Sequence, residues 1–291
     1  MLDYRLLKTL YYVVEYKSFE AAAQKLNVSQ PAISQRLKQL EDQVGQLLIV
    51  RSNPVHPTQL GTRLIEHYLK VTLLESNLDI AFSAENTRIP IAVNADSLAT
   101  WFMPAIKNLL NDRSILFDIK VADQDHTHKD FVQGKVIGCV SSRAQVFQGC
   151  SVVKLGDMKC IAVASPEFIE KYLSKPLTAD KIAVAPSLLF NSDDTLIEIY
   201  LEKFYGLKLT DISYHSIPST DAFISAAKNS MSYTVLPQSQ VLNELESGEL
   251  VNIQKKQVFS VPLYWHSWAF ETKIGKKINE AIAKGAREHL R

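Results

Sequence analysis

Apolar positions along residues 29–44 recur with a helical period. Ile33, Leu37, Leu40 and Val44 stand four, three and four apart, which puts them on one stripe of a helix. The remaining faces carry Gln30, Ser34, Gln35, Arg36 and Lys38. Ser29 precedes the helix as a capping residue, its hydroxyl an acceptor for an orphan N–H of the first turn. Pro31 sits early, where a missing N–H costs little. Before it, Ser18 to Leu26 reads as a second short helix rich in alanine, closed by Asn27, a residue that tolerates the left-handed conformation. Leu6, Leu7, Leu10, Val13 and Val14 give residues 2–16 an apolar face as a third helix. Two helices joined by a tight turn, the second polar on its outer side, form a helix-turn-helix.

The pattern then changes twice. Leu47 to Val50 reads as a short strand, and Ser52 to Pro57 as a turn rich in Pro and Asn, together a β-wing. From Thr58 to about Ser83, Leu60, Leu64, His67, Val71, Leu74, Leu78 and Ala81 alternate by four and three, a heptad seam. A helix of about 25 residues would be about 37 Å long. His67 on that seam reads as a packed histidine rather than a ligand. Beyond the polar stretch Glu85–Arg88, short apolar runs alternate with helical ones. Strands are expected at 89–93, 116–121, 136–140, 160–164, 187–190, 213–217 and 231–236, and helices at 97–110, 166–173, 195–205, 221–229 and 272–289. That alternation predicts parallel α/β units in two lobes, the last helix returning to the first lobe. The domains expected are therefore 1–58, a DNA-binding head; 59–87, a linker helix and hinge; and 88–291, an α/β ligand domain.

Composition adds little to the head. The chain's net charge is +1, and residues 1–58 hold seven Lys/Arg against five acids. The case for DNA rests on pattern: amides, hydroxyls and cations on one helix face are the groups that read base edges and grip phosphate. Gln30, Ser34 and Gln35 are the candidate base readers. Ser29, Pro31, Arg36, Lys38, Arg51 and Thr58 complete the candidate DNA contacts. Cys139, Cys150 and Cys160 have no metal or CxxC spacing, so each reads as a small buried residue in a reducing compartment. With no basic-plus-apolar leader and no apolar run near 18 residues, a soluble cytoplasmic protein without a membrane span is expected.

Phe19 to Leu26, Ser29 to Glu41, the run 45–51 (GQLLIVR) and Pro57 to Gly61 resemble the winged helix-turn-helix of LysR-type transcriptional regulators. Ala92 to Trp101 (AVNADSLATW) and Leu263 to His266 (LYWH) extend the resemblance to the ArgP/LysG branch, whose members sense lysine and arginine. Ser219 to Phe223 (STDAF) is a looser match, and Ser267-Trp268 departs from the pattern. The resemblance implies a winged helix-turn-helix, a long linker helix that pairs with that of a second subunit, and a periplasmic-binding-protein-like pair of lobes around an effector cleft. The expected partners are double-stranded DNA, further copies of the chain as dimer or tetramer, and RNA polymerase. Leu60, Leu64, Val71, Leu74 and Leu78 are the expected dimer contacts.

In parallel α/β lobes a ligand lies beyond the carboxyl ends of strands, where helix N-termini hold carboxylates. Asn94, Asp96, Ser97 and Trp101, then Asp123, then Ser141 and Ser142, then Ser219, Thr220 and Asp221 are the candidate effector residues. Hydroxyls and amides would take an amino acid's carboxylate, and acids its cationic groups. Helix capping alone accounts for Asp96, Ser97 and Asp221 equally well. Asp123 to His128 (DQDHTH) invites a metal, but a loop of this kind is more commonly capping or solvated, and no metal or cofactor is expected. There is no GxSxG elbow, phosphate loop or HExxH, so an enzyme is not expected. A solute-binding protein, an α/β enzyme, and the same architecture with another effector or a nucleoid or replication-origin role are the alternatives.

Overall fold

The computed structural model describes residues 2–50, 52, 54–75, 87–112, 115–122, 127, 130–131, 135–147, 149–191, 194–269 and 272–290. The head opens with α1 (Tyr4–Glu15), α2 (Phe19–Leu26) and α3 (Gln30–Val44). Asp3 caps α1 through the Arg5 N–H, and Ser18 caps α2 through that of Ala21. Asn27 ends α2 at φ 51°, as its short polar side chain allows. Ile33, Leu37 and Leu40 are buried against Leu6, Leu7, Leu10, Val13, Ala22 and Ala23. The reading of Ser29 is corrected: it holds the N-cap position, but its hydroxyl makes no capping hydrogen bond.

After α3 come β1 (Ile49–Val50) and β2 (His56–Pro57), paired antiparallel as a small wing. Glu41 fixes the wing to α3: its buried carboxylate accepts the Leu48 N–H at 2.9 Å. The linker helix α4 (Gln59–Glu75) then lies along α1. Leu60 and Leu64, expected in a seam between subunits, pack with Ile65 and Tyr68 against the core of their own head. Tyr4 reaches His67, Oη to Nε2 3.0 Å, and the Tyr11 ring lies tilted against that of Tyr68, centroids 5.6 Å apart. Val71 is half-buried, and Leu74 is exposed. Leu78 and Ala81 lie outside the described residues.

The ligand domain is built on a seven-stranded sheet. Its strands are β3 (Thr87–Asn94), β4 (Ile115–Ala122), β5 (Gly138–Ser141), β6 (Cys150–Ala164), β9 (Thr234–Pro237), β10 (Val251–Asn252) and β11 (Val258–Trp268); β7 (Ser187–Leu189) and β8 (Tyr214–Ser216) pair separately. β3 runs parallel to β4 and β5, and β7 to β8, as the alternation predicts. The long ladder of β6 with β11 is antiparallel, as are the pairings of β6 with β9 and β10. This corrects the reading of parallel units: two lobes share one mixed sheet, and β6 runs from one into the other. The ladder shifts register between Leu263 and Tyr264, opposite Gly156 at φ 147°, a bulge that only glycine adopts easily.

The larger core packs helices 95–110 and Lys273–His289 on the sheet and continues through Phe168, Ile182 and Tyr200 into the second lobe; a smaller one gathers around Ile161, Val163, Leu188, Phe223 and Leu236. Helix 95–110 is α-helical at both ends with a π turn at Leu98–Phe102. Pro104 has no N–H to return to Thr100, and widening the preceding turn accommodates that gap. One short α-helical segment, Ala95–Ser97, separates the end of β3 from the π turn.

Candidate DNA-reading face and ligand cleft

On α3 the buried stripe turns the other side outward. Ser29, Gln30, Pro31, Gln35 and Lys38 are exposed, and Ser34 and Arg36 are half-buried beside them. The helix is thus a ridge of amide, hydroxyl and cation standing off a packed three-helix base. Thr58 is not part of this ridge. Its hydroxyl donates to the Leu47 carbonyl and accepts the Gly61 N–H, knitting the wing to the start of α4. Arg51 lies outside the described residues.

The cleft forms where strand ends of both lobes meet. Asn94, Ala95 and Asp96 come from the end of β3 and its helix; Phe190, Asp194, Thr195 and Leu196 from the segment after β7; Thr220 and Phe223 from the helix Thr220–Lys228; and Val235 from β9. Together they bound about 430 Å3 of space, part of it open to solvent. No lysine, arginine or histidine is among these lining residues.

Two carboxylates dominate the cleft electrostatically. Burial, and then the charge of Asp194, push the Asp96 carboxyl up to about 7. The Asp96 side chain makes no hydrogen bond or ion pair among the described residues. Asp194 caps the helix Thr195–Tyr205 through the Leu196 N–H and holds the Phe190 N–H at 2.9 Å. The Cys160 thiol feels both acids, and burial raises it well above its usual range. Asn94 is fully buried, and neither its Oδ1 nor its Nδ2 has a partner among the described residues. A buried amide without partners costs free energy until something fills its bonds.

The other expected effector residues divide. Thr220 lines the cleft, and Ser219 behind it caps the helix through the Ala222 N–H. Asp221 is exposed on the outer side of that helix. Ser97 is buried, its hydroxyl without a partner among the described residues, outside the cleft lining. Trp101 is a core residue, its ring 5.8 Å from that of Phe102, and its indole N–H also has no partner among the described residues. Ser141 is buried and accepts the Arg143 N–H; Ser142 is half-buried; neither lines the cleft. Asp123 lies outside the described residues. Asp194 went unread in the sequence, although Asp193-Asp194-Thr195 between a strand and a helix has the form of an acidic cap at a strand end.

Residues 4–62 match the family described as "Bacterial regulatory helix-turn-helix protein, lysR family". Over its whole length the chain is 41% identical to the HTH-type transcriptional regulator ArgP of Pseudomonas aeruginosa, covering 98% of it. Among solved structures it is similar to ArgP from Mycobacterium tuberculosis, with TM-score 0.84 and 37% identity over 100% of this chain and 99% of that one. It is also similar to full-length LysG from Corynebacterium glutamicum with bound effector Arg, with TM-score 0.73 and 29% identity over all of both chains.

Proposed function

The chain belongs to the LysR family of bacterial helix-turn-helix transcriptional regulators, and from that premise we propose that it senses a basic amino acid, arginine or lysine, in the cleft between Asp96 and Asp194. The observation that carries this reading is the charge of the cleft: two carboxylates and no base among the lining residues. A free basic amino acid brings two cationic groups and one carboxylate. All three need partners once enclosed, since a buried unpaired charge costs several kcal/mol. Asp96 and Asp194 supply two anions. The Asn94 amide and the N-termini of the helices beginning at Thr195 and Thr220 supply donors for the carboxylate. That arginine is bound in LysG supports the same ligand class.

In this reading α3 enters the major groove, with Gln30, Ser34 and Gln35 toward base edges and Arg36, Lys38 and Arg51 toward phosphate. The far end of α4, with half-buried Val71 and exposed Leu74, supplies the contact with a second subunit. Two heads then match a two-fold DNA site. RNA polymerase is the further partner expected of a regulator, and the cytoplasm its place of action; no described helix is long and apolar enough to cross a membrane. The cleft binds rather than catalyses: ligand closure changes the arrangement of subunits, so DNA and amino acid alter each other's affinity.

Calorimetry with arginine, lysine, ornithine and leucine tests the assignment. The basic amino acids are expected to bind and leucine not. Asp96→Asn should weaken arginine at least tenfold, about 1.4 kcal/mol, while Asp221→Asn leaves it unchanged. Leucine binding as tightly as arginine would refute the ligand class and leave the DNA reading standing.

A further inference from the structure

Away from the cleft, the head touches the ligand domain of its own chain. Glu15, the last residue of α1, meets Arg88 near the start of β3, with Oε1 3.6 Å from Nη1. Tyr11, one turn earlier on α1, packs against Tyr68 of α4. Burial and the nearby Glu15 charge push the Tyr11 phenol up, and Arg88 opposes them. A second contact lies further along α4, where the Lys70 ammonium sits 4.8 Å from the ring centre of Trp268, at the end of β11.

The path of β3 gives this contact a consequence. The strand carries Arg88 near one end and Asn94 at the other, six residues and about 20 Å apart. It is held on both sides, by β4 and by β5. One rigid strand therefore reaches from the ligand cleft to the DNA-binding head. We propose that the Glu15–Arg88 pair, seconded by Lys70 on Trp268, is a positioning contact that biases the head toward one orientation on its own ligand domain, and that the cleft acts on DNA affinity partly through it. The ligand arm of this inference rests on the ligand reading above; the contact itself does not. An ion pair this exposed is weak, which suits a bias rather than a lock: a ligand moves a two-state equilibrium only by its differential affinity, and a small energy gap is easily moved.

The test is a charge swap: Glu15→Arg, Arg88→Glu and the double variant, with Glu15→Gln as a milder single. DNA affinity is measured on one fixed duplex, first without amino acid at low and high salt, then with saturating arginine. Neither residue lies on the exposed ridge of α3. A general charge effect on DNA moves the two reversals in opposite directions. Breaking the contact moves them in the same direction, by about two- to fivefold at low salt. The double variant should return to the wild-type value, high salt should erase the differences, and each single should reduce the arginine effect. Opposite shifts, unchanged singles, or a double variant displaced as the product of the singles would overturn the proposal. If arginine leaves wild-type DNA affinity unchanged while the swap still rescues the singles, the ligand assignment fails and the contact stands.

Discussion

Asp96 makes ligand affinity depend on pH in a direction opposite to that of the empty protein's stability. Its carboxyl rises from the ordinary 3.8 to about 7, first through burial and then through Asp194. A cationic ligand needs the ionised form, which is about a tenth of the empty protein at pH 6 and about nine-tenths at pH 8. Arginine affinity should therefore rise about tenfold between these values, with a proton released on binding near pH 7. The folded value lies above the unfolded one, so the folded chain holds the extra proton between about pH 4 and 7. Stability of the empty protein is therefore unpenalised below about pH 4 and falls as pH rises toward 7. At full extent the penalty is about 4 kcal/mol, since each pKa unit is worth about 1.4 kcal/mol. Asp96→Asn should abolish both effects: weak binding that is flat with pH, and a melting temperature above the wild type's at pH 8 but not at pH 4. Calorimetry in two buffers of different ionisation enthalpy counts the released proton, and scanning calorimetry without ligand reads the stability. Wild-type affinity that is flat or falling from pH 6 to 8 would refute the placement of a cation against Asp96.

Three further outcomes follow from the head and the linker helix. Gln35→Ala should cost about 1–3 kcal/mol on the preferred site and relax selection at one base position; site selection from random DNA reads this, and unchanged selection would show that α3 docks differently. Leu74→Arg places a charge at the exposed continuation of α4, where sedimentation should show loss of the dimer; a variant that stays dimeric moves the interface elsewhere. Glu41→Ala leaves the buried Leu48 N–H unpaired, so thermal unfolding should register a loss of about 1–3 kcal/mol; an unchanged melting temperature would show that the wing does not depend on this bond.

The head was readable from sequence because its signals are local. Asn27 and Gly45 end their helices in left-handed conformations, and the stripe of Ile33, Leu37 and Leu40 is the buried face. The helix expected at 195–205 has the same limits in the structure, where Asp194 caps it and Gly206 ends it. The antiparallel ladder was harder. The first half of β6 alternates half-buried and exposed residues while its last five are all buried, so only Cys160–Ala164 looked like a strand. In β11, Pro262 and the polar Ser260, His266 and Ser267 interrupt the apolar run, although much of the strand is buried. Leu60 and Leu64 fit a heptad seam equally well whether the partner is another subunit or the chain's own α1, and periodicity cannot distinguish the two. Asp221 and Asp194 both precede or open helices. Which acid faces a cleft depends on how two lobes meet across a shared sheet, a long-range relation that no local spacing encodes.

Linkage between the two sites tests the central claim most directly. Arginine affinity is measured on free protein and on protein saturated with a duplex selected from random DNA; DNA affinity is measured with and without saturating arginine. The account predicts that the two ratios differ from one and equal each other, as a coupling free energy shared by both sites requires. Arginine that binds with the same affinity to free and DNA-bound protein, and leaves DNA affinity unchanged, would contradict it.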